Sequence, residues 1–98
     1  MNLIFLEEAF AEMVESARFY ESKSEGLGSD FLIAVQATTD RILQSPGTAS
    51  IEHAKIRRRL VPGFPFNILY ESHEDRILIA AVMHQRRRPG YWRKRVHQ

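Results

Sequence analysis

The sequence predicts a single α+β domain over residues 1–98, in which an N-terminal helical hairpin packs on a small, mainly antiparallel β-sheet. Two helical patterns fill the first half of the chain, and three short strand patterns separated by turn signals fill the second half. Helices followed by a run of strands are typical of the α+β class, because the helices then cover one face of the sheet. The 98 residues, 44% of them hydrophobic, suit one modest core.

The chain opens with a short apolar segment, Asn2 to Leu6, which predicts the first strand. From Glu7 the apolar side chains recur at helical spacing. Glu7 and Glu8 suit the positive end of the helix dipole, and Gly26 suits the left-handed residue that follows a helix. The apolar stripe of this first helix is predicted to lie in the core and consists of Ala9, Phe10, Met13, Ala17 and Tyr20.

A second helical pattern begins at Leu27 and is stopped by Ser45-Pro46-Gly47. Its apolar side is formed by Leu27, Phe31, Ala34, Val35, Thr38 and Ile42. Because the connection between the two helices is short, they are predicted to pack antiparallel as a hairpin.

Three strand patterns follow the helices. Residues 54–60 alternate between apolar and basic side chains, residues 64–70 place Phe and Ile on one face, and residues 76–83 are apolar on both faces. A strand that is apolar on both faces is expected to be covered on both sides. Short turns join the three strands, which predicts an antiparallel meander with the helical hairpin over one of its faces.

Several classes of site are not supported by the sequence. There is no cysteine, which excludes a disulfide framework and a thiolate zinc site. The four histidines, His53, His73, His84 and His97, match no compact metal-binding spacing, so neither a metal nor a cofactor is predicted. No apolar stretch approaches the ~20 residues that cross a bilayer, and the N-terminus lacks the pattern of a signal peptide, so the expected location is cytoplasmic, without a membrane partner.

Charge is distributed unevenly along the chain. Residues 1–54 carry three basic and nine acidic side chains, a net charge of −6, whereas residues 55–98 carry eleven basic and three acidic side chains, a net charge of +8. Such polarity is typical of a basic surface that binds an anionic partner. The alternative is a solvated surface whose acidic and basic halves attract each other across the fold.

The basic residues fall into two groups. Lys55, Arg57 and Arg59 alternate along one predicted strand, so they share a face of the sheet. If the helices leave that face uncovered, these three join Arg86, Arg87 and Arg88, at the end of the last strand, in a concave positive surface with Tyr91 and Trp92 at its rim. The alternative is that Arg57 and Arg59 pair with glutamates of the helices on a solvated face.

His84 lies at the end of the last strand, beside the arginines. A histidine in this position could serve as a proton acceptor. The alternative is a histidine that is simply hydrogen-bonded at a strand end. The chain has no glycine-rich phosphate loop, no Ser-His-Asp pattern and no paired carboxylates among the basic residues.

The order of these features resembles the RelE/ParE superfamily of toxins from type II toxin–antitoxin systems, over nearly the whole chain. The matching pieces are Glu8-Ala9, Phe19-Tyr20-Glu21, residues 26–31 (GLGSDF), Ser45-Pro46, Ile56-Arg57-Arg58, residues 64–70 (FPFNILY) and the terminal pattern His84, Arg87, Pro89, Tyr91, Trp92 and Arg95. The resemblance implies the same fold, a cognate antitoxin with an acidic C-terminal segment, and one of two activities. ParE-like members inhibit DNA gyrase, and RelE-like members cut messenger RNA in the ribosome.

The resemblance favours the ParE-like activity. The RNA-cleaving branch uses basic side chains on two neighbouring strands, a strand-end arginine and a following tyrosine. Arg57 or Arg59 (or Lys55), Arg86 and Tyr91 match three of these roles, but Asn67 stands at the remaining basic position, and a neutral amide supplies no charge. We therefore expect growth arrest through gyrase; the alternatives are a ribosome-dependent mRNA endonuclease and a non-toxic RNA- or protein-binding module. The residues expected to contact the target or the antitoxin are Lys55, Arg57, Arg59, His84, Arg86, Arg87, Tyr91, Trp92 and Arg95.

Overall fold

The structure is a computed structural model that describes residues 1–96. Two long helices pack on one face of a five-stranded sheet. In chain order the elements are β1 (Asn2–Phe5), α1 (Glu7–Lys23), α2 (Leu27–Gln44), β2 (Ser50–His53), β3 (Ile56–Leu60), β4 (Phe66–Ser72), β5 (Arg76–His84) and the short α3 (Arg93–Val96). The strand order is β1-β5-β4-β3-β2, with β1 parallel to β5 and every other pair antiparallel. The predicted α+β architecture is confirmed.

The connection between α1 and α2 is tight because a side chain of the first helix accepts hydrogen bonds from backbone N–H groups at the start of the second. Gly26 has the predicted left-handed conformation, with φ of 87°, directly before α2. The Glu21 carboxylate accepts the backbone N–H groups of Gly26 and Gly28, each at 2.9 Å, and these bonds hold the pKa of Glu21 below its usual value. Gly28 allows the two helices to touch, because a Cβ there would lie 2.6 Å from the carbonyl oxygen of Ala17. The predicted antiparallel hairpin is therefore locked at its turn.

The sheet has a core on each face. The core under the helices includes Phe31, Ile42, Ile68, Tyr70, Ile77 and Ile79. The opposite face carries a smaller core made of Ile56, Leu69, Ala81, Met83 and Trp92. As predicted, β5 is apolar on both faces, and it contributes side chains to both cores.

The structure differs from the prediction mainly in its strands. The strand expected over residues 64–70 begins at Phe66, because Phe64 lies in the turn before it. The four-residue edge strand β2 was not predicted, because so short a strand carries no periodic pattern. The strand expected from residue 54 begins at Ile56, since Ala54 lies in the turn with a φ of 52°. Phe10, expected in the core, is 53% exposed and packs edge-on against Phe5.

Candidate functional site

The C-terminal segment, residues 85–96, crosses the face of the sheet that the helices leave open. Trp92 anchors it, because its side chain is completely buried against the smaller core, beside Ile56, Leu69 and Met83. The expectation that Trp92 lies at the rim of a binding surface is wrong. The part of the open face around Ile56, Leu69 and Met83 is apolar and needs a cover, and the indole provides it.

A buried carboxylate on α1 joins this segment to the rest of the protein. The oxygens of Glu12 accept hydrogen bonds from the Tyr91 hydroxyl (2.6 Å), the Val82 backbone N–H (3.0 Å) and both terminal nitrogens of Arg95 (2.9 Å each). Arg95 also donates to the carbonyl of Ala80 at 3.1 Å. The side chains of Glu12 and Arg95 are only 14% and 16% exposed, so the ion pair is protected from solvent.

These contacts also complete the edge of β5. The strand β1 pairs with β5 only over residues 76–79, so beyond that point β5 has a strand neighbour on one edge only, namely β4. Glu12 accepts from Val82 and Arg95 donates to Ala80, and thus each takes the place of a strand neighbour.

Tyr91 is held in its protonated form. Burial, followed by the hydrogen bond to Glu12, raises the pKa of the Tyr91 hydroxyl well above its ordinary value. The Glu12 hydrogen bonds likewise raise the pKa of Arg95. The phenolic proton therefore points at Glu12, and neither side chain is free to act on a substrate in this arrangement.

The remaining cations of the segment face solvent. Arg86, Arg88, Arg93 and Lys94 are exposed. The Arg87 guanidinium stacks over the Tyr91 ring, 3.9 Å from its centroid, which fixes the direction of an otherwise flexible side chain. The predicted basic cluster at the end of the last strand thus exists, but Arg95 belongs to its internal support and not to its surface.

His84 ends β5 on the side of the sheet that faces the helices. Its ring packs edge-on against Phe66, and its Nδ1 accepts the backbone N–H of Arg86 at 3.0 Å. This is the alternative that the sequence left open, a histidine hydrogen-bonded at a strand end. Because Nδ1 is occupied, the neutral ring carries its hydrogen on Nε2, which is then a donor and not a proton acceptor.

Arg57 and Arg59 lie on the helix-covered face, not on the open one. Arg57 donates to the carbonyl of Ala49 at 2.7 Å, and Arg59 donates to the Thr48 hydroxyl at 3.0 Å, so both hold the loop that follows α2. Neither forms an ion pair in the part of the chain described, so the alternative, a pairing with helical glutamates, does not occur there either. Lys55 is exposed in the turn before β3.

The prediction of a single concave positive surface is therefore wrong. Arg57 and Arg59 are separated by the sheet from the cations of the C-terminal segment. The arginine that does face the open side is Arg58, which pairs across the sheet with Leu69 and lies 3.4 Å from Glu52.

Arg58 lines a shallow groove of about 540 Å³ on the open face. The groove is bounded by Ser50, Glu52, Arg58, Leu60, Asn67, Met83, Gln85, Arg87 and Pro89. The groove presents two guanidinium groups, two neutral amides, the Ser50 hydroxyl and the Glu52 carboxylate that is paired with Arg58, over an apolar floor. The sequence did not point to Arg58, although its position on the apolar side of the strand pattern was a signal, and nothing in the sequence pointed to Glu12.

A second cleft of about 280 Å³ lies between α1 and the end of β5. It is lined by Glu12, Glu15, Ser16, Phe19, Tyr20, Phe66, Val82, His84 and Arg87. Aromatic side chains form part of its walls, and the exposed carboxylate of Glu15 lies in the same cleft as the fully engaged carboxylate of Glu12.

Two further observations apply to residues 1–96. Within them, no group of three or more acidic or histidine side chains has the arrangement of a metal site, and no helix is long and apolar enough to cross a membrane. His97, one of the histidines considered in the sequence, lies outside the described residues.

Comparison with known proteins identifies a structural relative. A chain of the chromosomal ParDE TA system from P. aeruginosa superimposes with a TM-score of 0.63 at 18% sequence identity, over 86% of this chain and 95% of that chain. At this identity the likeness establishes the fold, and it confirms the fold that the family resemblance implied. No protein-family model matches the sequence, and no curated protein matches it either.

Proposed function

We propose that this chain is the toxin of a toxin–antitoxin pair, and that it arrests bacterial growth by binding DNA gyrase, without chemistry of its own. The shared fold with a chain of a ParDE TA system supports the toxin assignment. The sequence resemblance over most of the chain supports it independently, because it rests on residues and not on the fold.

The observation that carries a binding role is the commitment of Tyr91 to Glu12. In the RNA-cleaving members of the family that the sequence resembles, a tyrosine after the last strand assists the reaction. Here the Tyr91 hydroxyl donates its only proton to a buried carboxylate, and its raised pKa keeps that proton in place. Asn67 adds no charge on the neighbouring strand, and Arg57 and Arg59 lie on the far side of the sheet. Groups that would have to converge on one phosphate are thus kept apart.

The exposed part of the C-terminal segment suits an anionic target. Arg86, Arg88, Arg93 and Lys94 present four cations on a backbone that Trp92 and Glu12 hold in place. Arginine offers a planar fork to carboxylates and phosphates, and a preorganised backbone lowers the entropy cost of binding. An acidic surface of gyrase, or gyrase with its DNA, is a partner of this chemistry.

One observation favours the second candidate, a ribosome-dependent mRNA endonuclease. The groove on the open face places Arg58 and Arg87 beside the amides of Asn67 and Gln85, over an apolar floor. Such a set can hold a nucleotide, with guanidinium groups on the phosphate and amides on the base edge. This candidate is weaker because the carboxylate that lines the groove, Glu52, is paired with Arg58 at 3.4 Å, and the Tyr91 hydroxyl is hydrogen-bonded to Glu12.

The proposed function predicts that expression of the protein without a partner arrests growth of a bacterial culture. We expect colony counts to fall after induction, supercoiling by purified gyrase to be inhibited, and growth to be restored by co-expression of the antitoxin encoded in the adjacent reading frame. The control is the same vector carrying a stop codon early in the gene. Normal growth despite verified soluble protein would remove toxicity and favour a non-toxic binding module on this fold.

A second prediction concerns the antitoxin, whose acidic C-terminal segment we place against Arg57 and Arg59. These two guanidiniums pair with no carboxylate in the described part of the chain, so an acidic partner would supply the missing charge. Changing both to glutamine should slow association with the antitoxin and flatten its dependence on salt, as expected when electrostatic steering is lost.

The matched control for that experiment is Arg86→Gln with Arg88→Gln, which removes the same charge from exposed positions on the C-terminal segment. Association rates would be measured by surface binding kinetics across a salt series. Equal salt dependence for the Arg57/Arg59 variant and the unmodified protein would place the antitoxin elsewhere, and a larger effect of the control pair would place it on the C-terminal segment.

A further inference from the structure

Glu12 has no remaining capacity for another hydrogen bond. Each of its oxygens already accepts two donors, and these come from Tyr91, Val82 and Arg95, residues 70 to 83 positions away in the chain. A carboxylate whose acceptor positions are all occupied is not a site for a ligand. Its role therefore lies in the residues that it binds.

What Glu12 holds is the C-terminal segment. Residues 85–96 belong to no strand, and α3 is a single turn. Within the described residues, and apart from local turns, the segment is fixed at its start by the hydrogen bond from the Gln85 backbone N–H to the Pro65 carbonyl (2.9 Å). Further along, it is fixed by the buried Trp92, by the partly buried Tyr91 and Val96 against the same core, and by the polar contacts to Glu12 and Ala80. The hydrophobic contacts set which face of the sheet the segment covers. The hydrogen bonds set its orientation, because they are directional and apolar packing is not.

The orientation matters for the exposed cations. Arg87 is stacked on the Tyr91 ring, and the Tyr91 hydroxyl is fixed by Glu12, so the direction of Arg87 depends on Glu12 through one intermediate side chain. Arg93 and Lys94 directly precede Arg95, whose guanidinium is tied to both Glu12 and Ala80. The cations that would contact a partner are therefore held in place by a residue of the first helix, Glu12.

We propose that Glu12 is the positioning residue of the target-binding segment, which it holds in the arrangement that presents Arg86, Arg87, Arg88, Arg93 and Lys94 together. This inference rests on the proposed function for the identity of the target. The docking of the segment by Glu12 is independent of that identity and has its own readout.

The test is the substitution Glu12→Gln, which keeps the size of the side chain but replaces one acceptor oxygen by an amide donor. The amide then faces an N–H group of Arg95, to which it cannot bond, and the ion pair with Arg95 loses its negative charge, so the hold on the segment is weakened. Trp92, the only tryptophan in the chain, reports on the segment directly, since it is fully buried when the segment is docked. We expect far-UV circular dichroism to be unchanged, and quenching of Trp92 fluorescence by acrylamide to increase.

Binding to gyrase should weaken in parallel. If the docked arrangement falls to about a tenth of the molecules, the apparent affinity falls about tenfold, because only that fraction is competent to bind. Binding to the antitoxin, which we place at Arg57 and Arg59, should stay unchanged. A residue with a general structural role would weaken both partners, so the difference between them separates positioning from stability.

The matched control is Glu15→Gln. Glu15 lies one helical turn later in the same cleft, is exposed, and makes no hydrogen bond or ion pair in the described residues. It should leave the quenching and both affinities unchanged. The positioning role is overturned if acrylamide quenches Trp92 fluorescence no more in Glu12→Gln than in the unmodified protein. It is also overturned if quenching increases but gyrase binding is unchanged. If Glu12→Gln fails to fold, Tyr91→Phe, which removes a single donor, is judged by the same two readouts.

The two proposals fail in different ways. If the unmodified protein neither arrests growth nor binds gyrase, the proposed function is wrong, and the quenching comparison between Glu12→Gln and Glu15→Gln still decides whether Glu12 holds the segment. If the unmodified protein binds gyrase and Glu12→Gln binds it equally well, the proposed function stands and the positioning role is lost.

Discussion

Replacement of Trp92 by alanine is expected to lower the free energy of unfolding by about 3–5 kcal/mol, the range for removal of a large aromatic side chain from a core. The indole is completely buried and is the largest side chain of the smaller core, so its loss leaves a cavity beside Ile56, Leu69 and Met83. Small domains have only about 5–15 kcal/mol of stability in total, so the variant should be close to unfolding at growth temperature.

The measurement is urea denaturation followed by far-UV circular dichroism, because the variant has no tryptophan. Trp92→Phe should cost less than Trp92→Ala. It keeps an aromatic ring in the site, and it also removes the indole N–H, which is buried and has no hydrogen-bond partner among residues 1–96.

Leu60→Ala is the matched control for this prediction. Leu60 faces the same open side of the sheet and is 55% exposed, so its loss should change stability by no more than about 0.5 kcal/mol, as for most surface substitutions. Equal costs for Trp92→Ala and Leu60→Ala would mean that the C-terminal segment does not dock on the sheet in solution.

Purified protein added to translating ribosomes is expected to leave messenger RNA essentially uncut. One missing preorganised charge at a transition state costs about 2.7–4 kcal/mol, or roughly 10²–10³ in rate. The family resemblance implies that Asn67 stands at the position of such a charge. The raised pKa of Tyr91 adds to the deficit, because its proton is held by Glu12. The same preparation should inhibit supercoiling by gyrase.

The assay compares primer-extension products from ribosomes with and without the protein, with a RelE-like nuclease as the positive control. Efficient codon-phased cleavage that is lost in Tyr91→Phe or Arg86→Ala would make the protein a ribonuclease. Its loss in Arg58→Ala would place the active site in the groove on the open face. If neither mRNA nor gyrase responds, the target is a third one.

The sequence by itself determined the elements that have a clear period. The stripes of α1 and α2, the shared face of Phe66, Ile68 and Tyr70, and the double-sided burial of β5 all follow from spacing, because each repeat distance fixes which side chains point together. The left-handed Gly26 was also predictable, since only glycine adopts that conformation without steric cost. The edge strand β2 was not, because four residues are too few to show a period.

The tertiary structure alone decided where the basic residues lie. Alternation along β3 shows that Arg57 and Arg59 share a face, and that Arg58 points the other way, but it does not say which face the helices cover. The same limit applies to Trp92. An aromatic next to arginines suits a binding surface equally well, and only the presence of an apolar, uncovered sheet face makes it a core residue.

Glu12 shows most clearly why such contacts could not be predicted from the sequence. In the sequence it is one of several glutamates on an amphipathic helix, and nothing separates it from Glu15 three residues later. Its partner Arg95 is 83 positions away, and their contact exists only because β1 ends before β5 does and leaves an edge for both side chains to complete. Local periodicity encodes which way a side chain points relative to its own element. The partner that it meets depends on how distant elements pack.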